Sequence, residues 1–141
     1  MKPMKVAAEN RAEPKPEKEP MDTQKKIMIV DDEPDVLKVL EKRLSNSGYG
    51  VVMAENGRRA LHTALKEQPD LIILDIDMPD MDGGEVAARL KDDDATRHIP
   101  VLFLSCLVTQ SEEESNVIGD SIFLAKPYNP DRLLEEIEKL V

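Results

Sequence analysis

Short apolar runs alternate with amphipathic stretches from residue 25 to the end of the chain, and each alternation predicts a strand followed by a helix. Lys26 to Val30 (Lys-Ile-Met-Ile-Val) reads as a buried strand. Pro34 to Ser47 carries Val36, Leu37, Leu40 and Leu44 at helical spacing, and Gly48 closes it. Val51 to Ala54 is a second strand, and Arg58 to Glu67 is a helix with Ala60, Leu61, Ala64 and Leu65 on one face. Leu71 to Leu74 is a third apolar run, too short for a helix, and it ends at Asp75. Gly84 to Lys91 predicts a helix and Val101 to Leu104 a strand introduced by Pro100. A short acidic helix poor in apolar residues is expected over Gln110 to Ile118. A strand over Ile122 to Ala125 follows, and a closing helix over Asn129 to Leu140 has Leu133, Leu134, Ile137 and Leu140 as its stripe.

Strands that are apolar on both faces belong inside a parallel sheet covered by helices on either side. With right-handed crossovers, this repeat gives an α/β fold: a doubly wound sandwich around a five-stranded parallel sheet. In such sheets functional groups collect just outside the carboxyl ends of the strands.

The residues at those ends are polar. Asp31 and Asp32 follow the first strand, Asp75 the third, Ser105 the fourth and Lys126 the fifth. Three carboxylates, a hydroxyl and an ammonium are therefore expected at one edge of the sheet. Clustered carboxylates repel one another unless protonated or neutralised by a cation. An all-oxygen donor set suits Mg²⁺, and no Cys or His stands at these strand ends in a zinc-like spacing. A bound Mg²⁺ would draw phosphate oxygens toward Asp75, whose carboxylate can take a phosphoryl group as an acyl phosphate. Lys126 offers a compact positive charge to one phosphate oxygen and Ser105 a hydrogen bond to another.

Composition narrows the classes that remain. Hydrophobic residues are 40% of the 141, enough for one core, but aromatic residues are only 3% and Trp is absent. The net charge of −10 opposes direct binding to nucleic acid. One cysteine, Cys106, excludes an internal disulfide and fits a reducing, cytoplasmic setting. No apolar run approaches the roughly 20 residues that span a bilayer, so no membrane contact is expected. Residues 1 to 24 mix charges of both signs with prolines, as in Glu13-Pro14-Lys15-Pro16, and are expected to form an extended tail or linker. Residues 25 to 141 make the folded domain.

Four segments in order carry a family resemblance. They are Ile29-Val30-Asp31-Asp32-Glu33-Pro34, then Leu74-Asp75-Ile76-Asp77-Met78-Pro79 with Asp82-Gly83 after it, then Leu104-Ser105, then Ala125-Lys126-Pro127. From about Lys25 to Val141 the sequence resembles the receiver domains of two-component response regulators. The resemblance implies a flavodoxin-like (βα)5 sandwich with strand order 2-1-3-4-5; receiver proteins are themselves a standing example of that order.

By the resemblance, Asp75 aligns with the phosphorylated aspartate. Asp32 and Asp75 align with carboxylates that bind Mg²⁺, Asp31 with one that reaches the ion through water, and Asp77 with the residue whose backbone carbonyl completes the metal site. Ser105 aligns with the switch hydroxyl, Lys126 with the phosphate-contacting lysine and Phe123 with the aromatic switch position. The implied partners are a sensor histidine kinase or histidine phosphotransfer protein and a downstream protein target that one sequence does not name. The implied activity is a phosphoacceptor switch acting through the face of the 110–118 helix, the last strand and the last helix. It is no turnover enzyme, only self-phosphotransfer with slow autodephosphorylation.

Other readings stand beside this one. Asp31 and Asp32 are also suited to cap the helix that starts at Pro34, and Asp75 to a turn ahead of Met78-Pro79. The domain is also readable as a receiver-like interaction module that is never phosphorylated. Asp75-Ile76-Asp77 resembles the nucleophile motif of haloacid-dehalogenase-type phosphatases, although that family carries the motif on its first strand. Two residues depart from the receiver pattern: Cys106 replaces a small residue, and apolar Leu107 stands near the phosphoryl position. Leu107 is expected to impede attacking water, so Leu107→Ala should shorten the phosphorylated lifetime measured by loss of label from Asp75.

Overall fold

The computed structural model describes residues 24–79, 81–105, 116–118, 121–125 and 129–141. Its elements are β1 (Lys26–Val30), α1 (Pro34–Asn46), β2 (Gly50–Ala54), α2 (Gly57–Glu67), β3 (Leu71–Asp75), α3 (Gly83–Asp92), β4 (Val101–Ser105), β5 (Asn116–Ile118), β6 (Ser121–Ala125) and α4 (Pro130–Leu140). The sheet order is β2-β1-β3-β4-β6-β5. Its five long strands are parallel, and counted among themselves they run in the expected order 2-1-3-4-5.

The helices start where the sequence supplies partners for their exposed N–H groups. The side chain of Asn56 accepts from the Arg59 N–H at 2.8 Å, that of Asp82 from the Glu85 N–H at 2.9 Å, and that of Asn129 from the Asp131 N–H at 2.8 Å. Pro34 and Pro130 open α1 and α4, where a missing N–H costs nothing. Gly48, at φ +96°, turns the chain out of α1 through the left-handed region.

Side chains alternate across the sheet and build two apolar layers. Ile27, Ile29, Leu71, Ile73, Leu102, Leu104 and Leu124 pack against Leu37, Leu40 and Leu44 of α1 and Leu133 and Ile137 of α4. Met28, Val30, Ile72, Leu74 and Phe103 pack on the other face against α2 and α3 through Ala60, Ala64, Val86 and Leu90. All five residues of β3 are buried, as expected for the central strand.

One expected element is different. Asn116–Ile118, assigned by its pattern to the end of a helix over 110–118, is a strand antiparallel to β6, with Val117 opposite Ile122. Two residues, Gly119-Asp120, separate the paired strands, and Gly-Asp between Val117-Ile118 and Ile122-Phe123 is a hairpin signal that outweighs weak helical spacing. The rest of that predicted helix, the tail at 1–23, and Cys106, Leu107, Lys126 and Pro127 lie outside the described residues. Among the described residues no helix is long and apolar enough to cross a membrane.

The layered core sets the stability of the sheet. Leu133 is fully buried, so Leu133→Ala should cost about 2–5 kcal/mol, read from the denaturation midpoint. Val39→Ala, at a side chain 60% exposed, should stay within about 0.5 kcal/mol.

Candidate functional site

The site begins with strand register. β1 and β3 are parallel neighbours in which Ile27 faces Leu71 and Val30 faces Leu74. One step further along both strands brings Asp31 beside Asp75. The two share the side-chain direction of Ile29 and Ile73, and each is 2% exposed. Asp32, the next residue, is exposed. Carboxylate oxygens of Asp31, Asp32 and Asp75 all lie within 4.8 Å of one another, and this is the group of metal-suited side chains found among the described residues.

Each buried aspartate is fixed by a local turn. The Asp31 N–H donates to the Ala54 carbonyl at 3.2 Å, tying the end of β1 to β2. Its Oδ1 accepts from the Glu33 N–H at 2.9 Å. In the same way Asp75 Oδ1 accepts from the Asp77 N–H at 3.2 Å. Such side-chain turns hold each carboxylate in one rotation about its own backbone. They also correct the expectation that Asp31 or Asp32 caps α1. The capping position is Glu33, which makes no side-chain cap bond, and Asp31 instead serves the turn ahead of the helix. The turn reading of Asp75 is part of the same arrangement, since one oxygen can close the turn while the group faces the cluster.

The segment after Asp75 is anchored to its neighbours. The Ile76 N–H donates to the Leu104 carbonyl at 3.1 Å, and the Gly83 N–H donates to the Ile76 carbonyl at 3.2 Å. Gly83 opens α3 directly against the end of β3. A Cβ there would lie 2.6 Å from the Asp75 carbonyl oxygen and 2.8 Å from the Ile76 Cα. The approach is backbone against backbone, so no side chain can swing aside. The sequence places Gly83 only in the Asp82-Gly83 pair that follows the Asp75 segment. The available signal was a glycine at the start of a helix, where it is a poor helix former.

The remaining expected residues are placed as follows. Ser105 ends β4 and is 1% exposed. Asp77 is exposed, and its N–H bond to Asp75 is its clearest link to the cluster. Phe123 is half-buried on β6 and stacks on Phe103 of β4, a partner that the strand-end reading did not single out. Lys126 directly follows β6 in sequence and lies outside the described residues.

The donor set fits a hard divalent cation. It is all oxygen, two of its three members are buried, and its oxygens are close together. Ligands on opposite sides of a Mg²⁺ octahedron stand about 4.2 Å apart, so a group gathered within 4.8 Å needs little adjustment. Without a cation the same proximity is repulsive.

Residues 27–138 match the family model of the response regulator receiver domain. The chain belongs to that family. It is 36% identical over 115 residues to the polar-differentiation response regulator DivK of Brucella anthropi, covering 81% of this chain and 94% of DivK. Two longer relatives are matched over only 47% and 26% of their lengths. Among solved structures, the chemotaxis protein CheY4 of Vibrio cholerae shares 30% identity at a TM-score of 0.74, covering 84% of this chain and 100% of that one. The response regulator TrrA of Thermotoga maritima, in complex with Mg²⁺-BeF, shares 33% identity at a TM-score of 0.71, covering 84% of this chain and all of TrrA. The receiver fold therefore carries the strand-end cluster described above.

The contact of α3 with the end of β3 can be tested directly. Gly83→Ala should destabilise this receiver domain by about 1–3 kcal/mol through forced backbone movement. It should also shift the amide resonances of Asp75 to Asp77 more than those of β2.

Proposed function

We propose that this receiver domain is a phosphoacceptor switch that takes one phosphoryl group on Asp75 from a phosphohistidine. The donor would be a sensor histidine kinase or a histidine phosphotransfer protein. The observation that carries this reading is the meeting of Asp31, Asp32 and Asp75 within 4.8 Å at the carboxyl edge of the sheet, with Asp75 ending its central strand. Asp31, Asp32, Asp75 and the backbone carbonyl of Asp77 would hold Mg²⁺, Asp31 through water. A bound Mg²⁺ supplies positive charge that offsets both the carboxylates and the incoming phosphate oxygens. The solved complex of TrrA with Mg²⁺-BeF supports the assignment, because beryllofluoride resembles a phosphoryl group in shape and charge.

The chain's own residues then do the following work. An Asp75 carboxylate oxygen attacks the phosphorus of the phosphoimidazole. The P–O bond forms as the P–N bond breaks, and the electron pair returns to the imidazole, which takes up a proton. The Asp77 N–H keeps the Asp75 carboxylate from rotating during the approach. The acyl phosphate brings close to two negative charges to the strand ends. The Lys126 ammonium meets that charge, and the Ser105 hydroxyl donates a hydrogen bond to it. Each transfer occupies Asp75, which is released only by slow hydrolysis, so the protein is a switch and not a turnover enzyme.

The phosphorylated state favours a second arrangement of the existing structure. Phosphorylation moves such an equilibrium only by its different interaction with the two states. Ser105 supplies that difference by moving toward the phosphoryl group, and Phe123 responds. The face that includes β6 and α4 then presents a new surface to a downstream protein. Its β5 edge is a strand where a helix was expected over 116–118. With one cysteine and no need for a disulfide, the chain suits the cytoplasm.

Intact-mass measurement after incubation with acetyl phosphate and Mg²⁺ tests the proposal. The wild type should gain one phosphoryl mass, and Asp75→Asn should gain none. Absence of the gain in the wild type would make the domain an unphosphorylated interaction module. Sustained release of phosphate from a monoester would instead favour a phosphatase.

A further inference from the structure

The two phenylalanines of the chain form one pair. Phe103 on β4 stands opposite Phe123 on the parallel neighbour β6. Their rings stack with centroids 4.8 Å apart and planes 16° apart. Phe103 is 5% exposed, while Phe123 is half-buried against the apolar layer under α2 and α3. Residues two apart on a strand share a face, so Ser105 stands on the same face of β4 as Phe103, one step nearer the carboxyl edge. Phe123 therefore rests over Phe103 and diagonally behind Ser105.

We propose that Phe103 is a positioning residue that sets the resting orientation of Phe123, and with it the threshold for switching. This rests on the reading of Asp75 as phosphoacceptor and of Phe123 as the aromatic that moves. When Ser105 is drawn toward a phosphoryl group, Phe123 reaches the vacated space by sliding off the Phe103 ring. The stack opposes that movement. Aromatic pairs at this separation favour the paired arrangement by a factor of roughly 2 to 12 beyond their apolar burial. An aliphatic side chain at position 103 keeps the apolar contact and removes the ring face.

The test uses the full chain labelled with 4-fluorophenylalanine, whose two resonances are assigned by Phe103→Leu, and is titrated with beryllofluoride in the presence of Mg²⁺. In the wild type the Phe123 resonance should move on saturation. In Phe103→Leu, where loss of the Phe103 ring current moves the starting resonance in any case, the further shift on saturation should be smaller than in the wild type. The half-saturating concentration should also fall by roughly 2- to 12-fold, because coupling between the ring and the acceptor site is reciprocal. A purely structural role for Phe103 would lower the melting temperature and leave both readouts where they were. Phe103→Met serves as a second variant if the leucine variant does not fold. An unchanged shift on saturation and unchanged half-saturation in a folded variant overturn the proposal. A wild type that binds beryllofluoride without movement of Phe123 removes the switch reading and this proposal with it. A wild type that does not bind beryllofluoride removes the phosphoacceptor reading instead.

Discussion

Mutual repulsion of three carboxylates is the constraint around which the rest of this structure is arranged. Asp31 and Asp75 are both buried at the ends of neighbouring parallel strands, and Asp32 stands beside them. Burying negative charges together is unfavourable unless something compensates. The fold keeps them there because their strands cannot move independently. β1 and β3 are adjacent inner strands of the sheet and are packed on both faces. Apolar burial along both strands contributes to holding the carboxylates together. The local turns to the Glu33 and Asp77 N–H groups set only their rotation.

The same arrangement separates stability from chemistry. Nearly every interior position of the long strands is aliphatic, so the strands themselves need no polar side-chain partner until their ends. There the aliphatic pattern stops and buried polar side chains, Asp31, Asp75 and Ser105, take its place. Gly83 belongs to this boundary: α3 can pack closely against the end of β3 because no side chain intervenes. Under the proposed function, a phosphoryl group on Asp75 would lie at this edge, beyond the aliphatic interior of the strands. In that proposal the change leaves through the few side chains between the edge and the interior. Ser105 and the stacked pair Phe103 and Phe123 are so placed.

That route leads to the side of the sheet where sequence and structure agree least. Asn116–Ile118 has two strong β-formers and no strong apolar stripe, and it sits two residues from the start of β6. Its short helical spacing competed with a hairpin signal of greater local strength, and pairing with β6 decided the outcome. The first three helices and the last show the opposite case. Their apolar stripes mark the same spans, and no observed limit differs from the expected one by more than a residue.

The sequence by itself determined the alternation of strand and helix, the aliphatic character of the sheet, and the chemical identity of the residues at the strand ends. Each of these is local: periodicity reports burial of one element, and a polar residue after an apolar run reports where that burial stops. Motif resemblance, rather than periodicity, supplied the strand order. Tertiary structure alone decided that Asp31 lies beside Asp75, that Asp31 serves a turn instead of a cap, that Gly83 meets the Asp75 backbone, and that Phe103 carries Phe123. All four depend on which strands are neighbours and in what register. Register is fixed by packing over the whole sheet, so no single segment of the chain contains it.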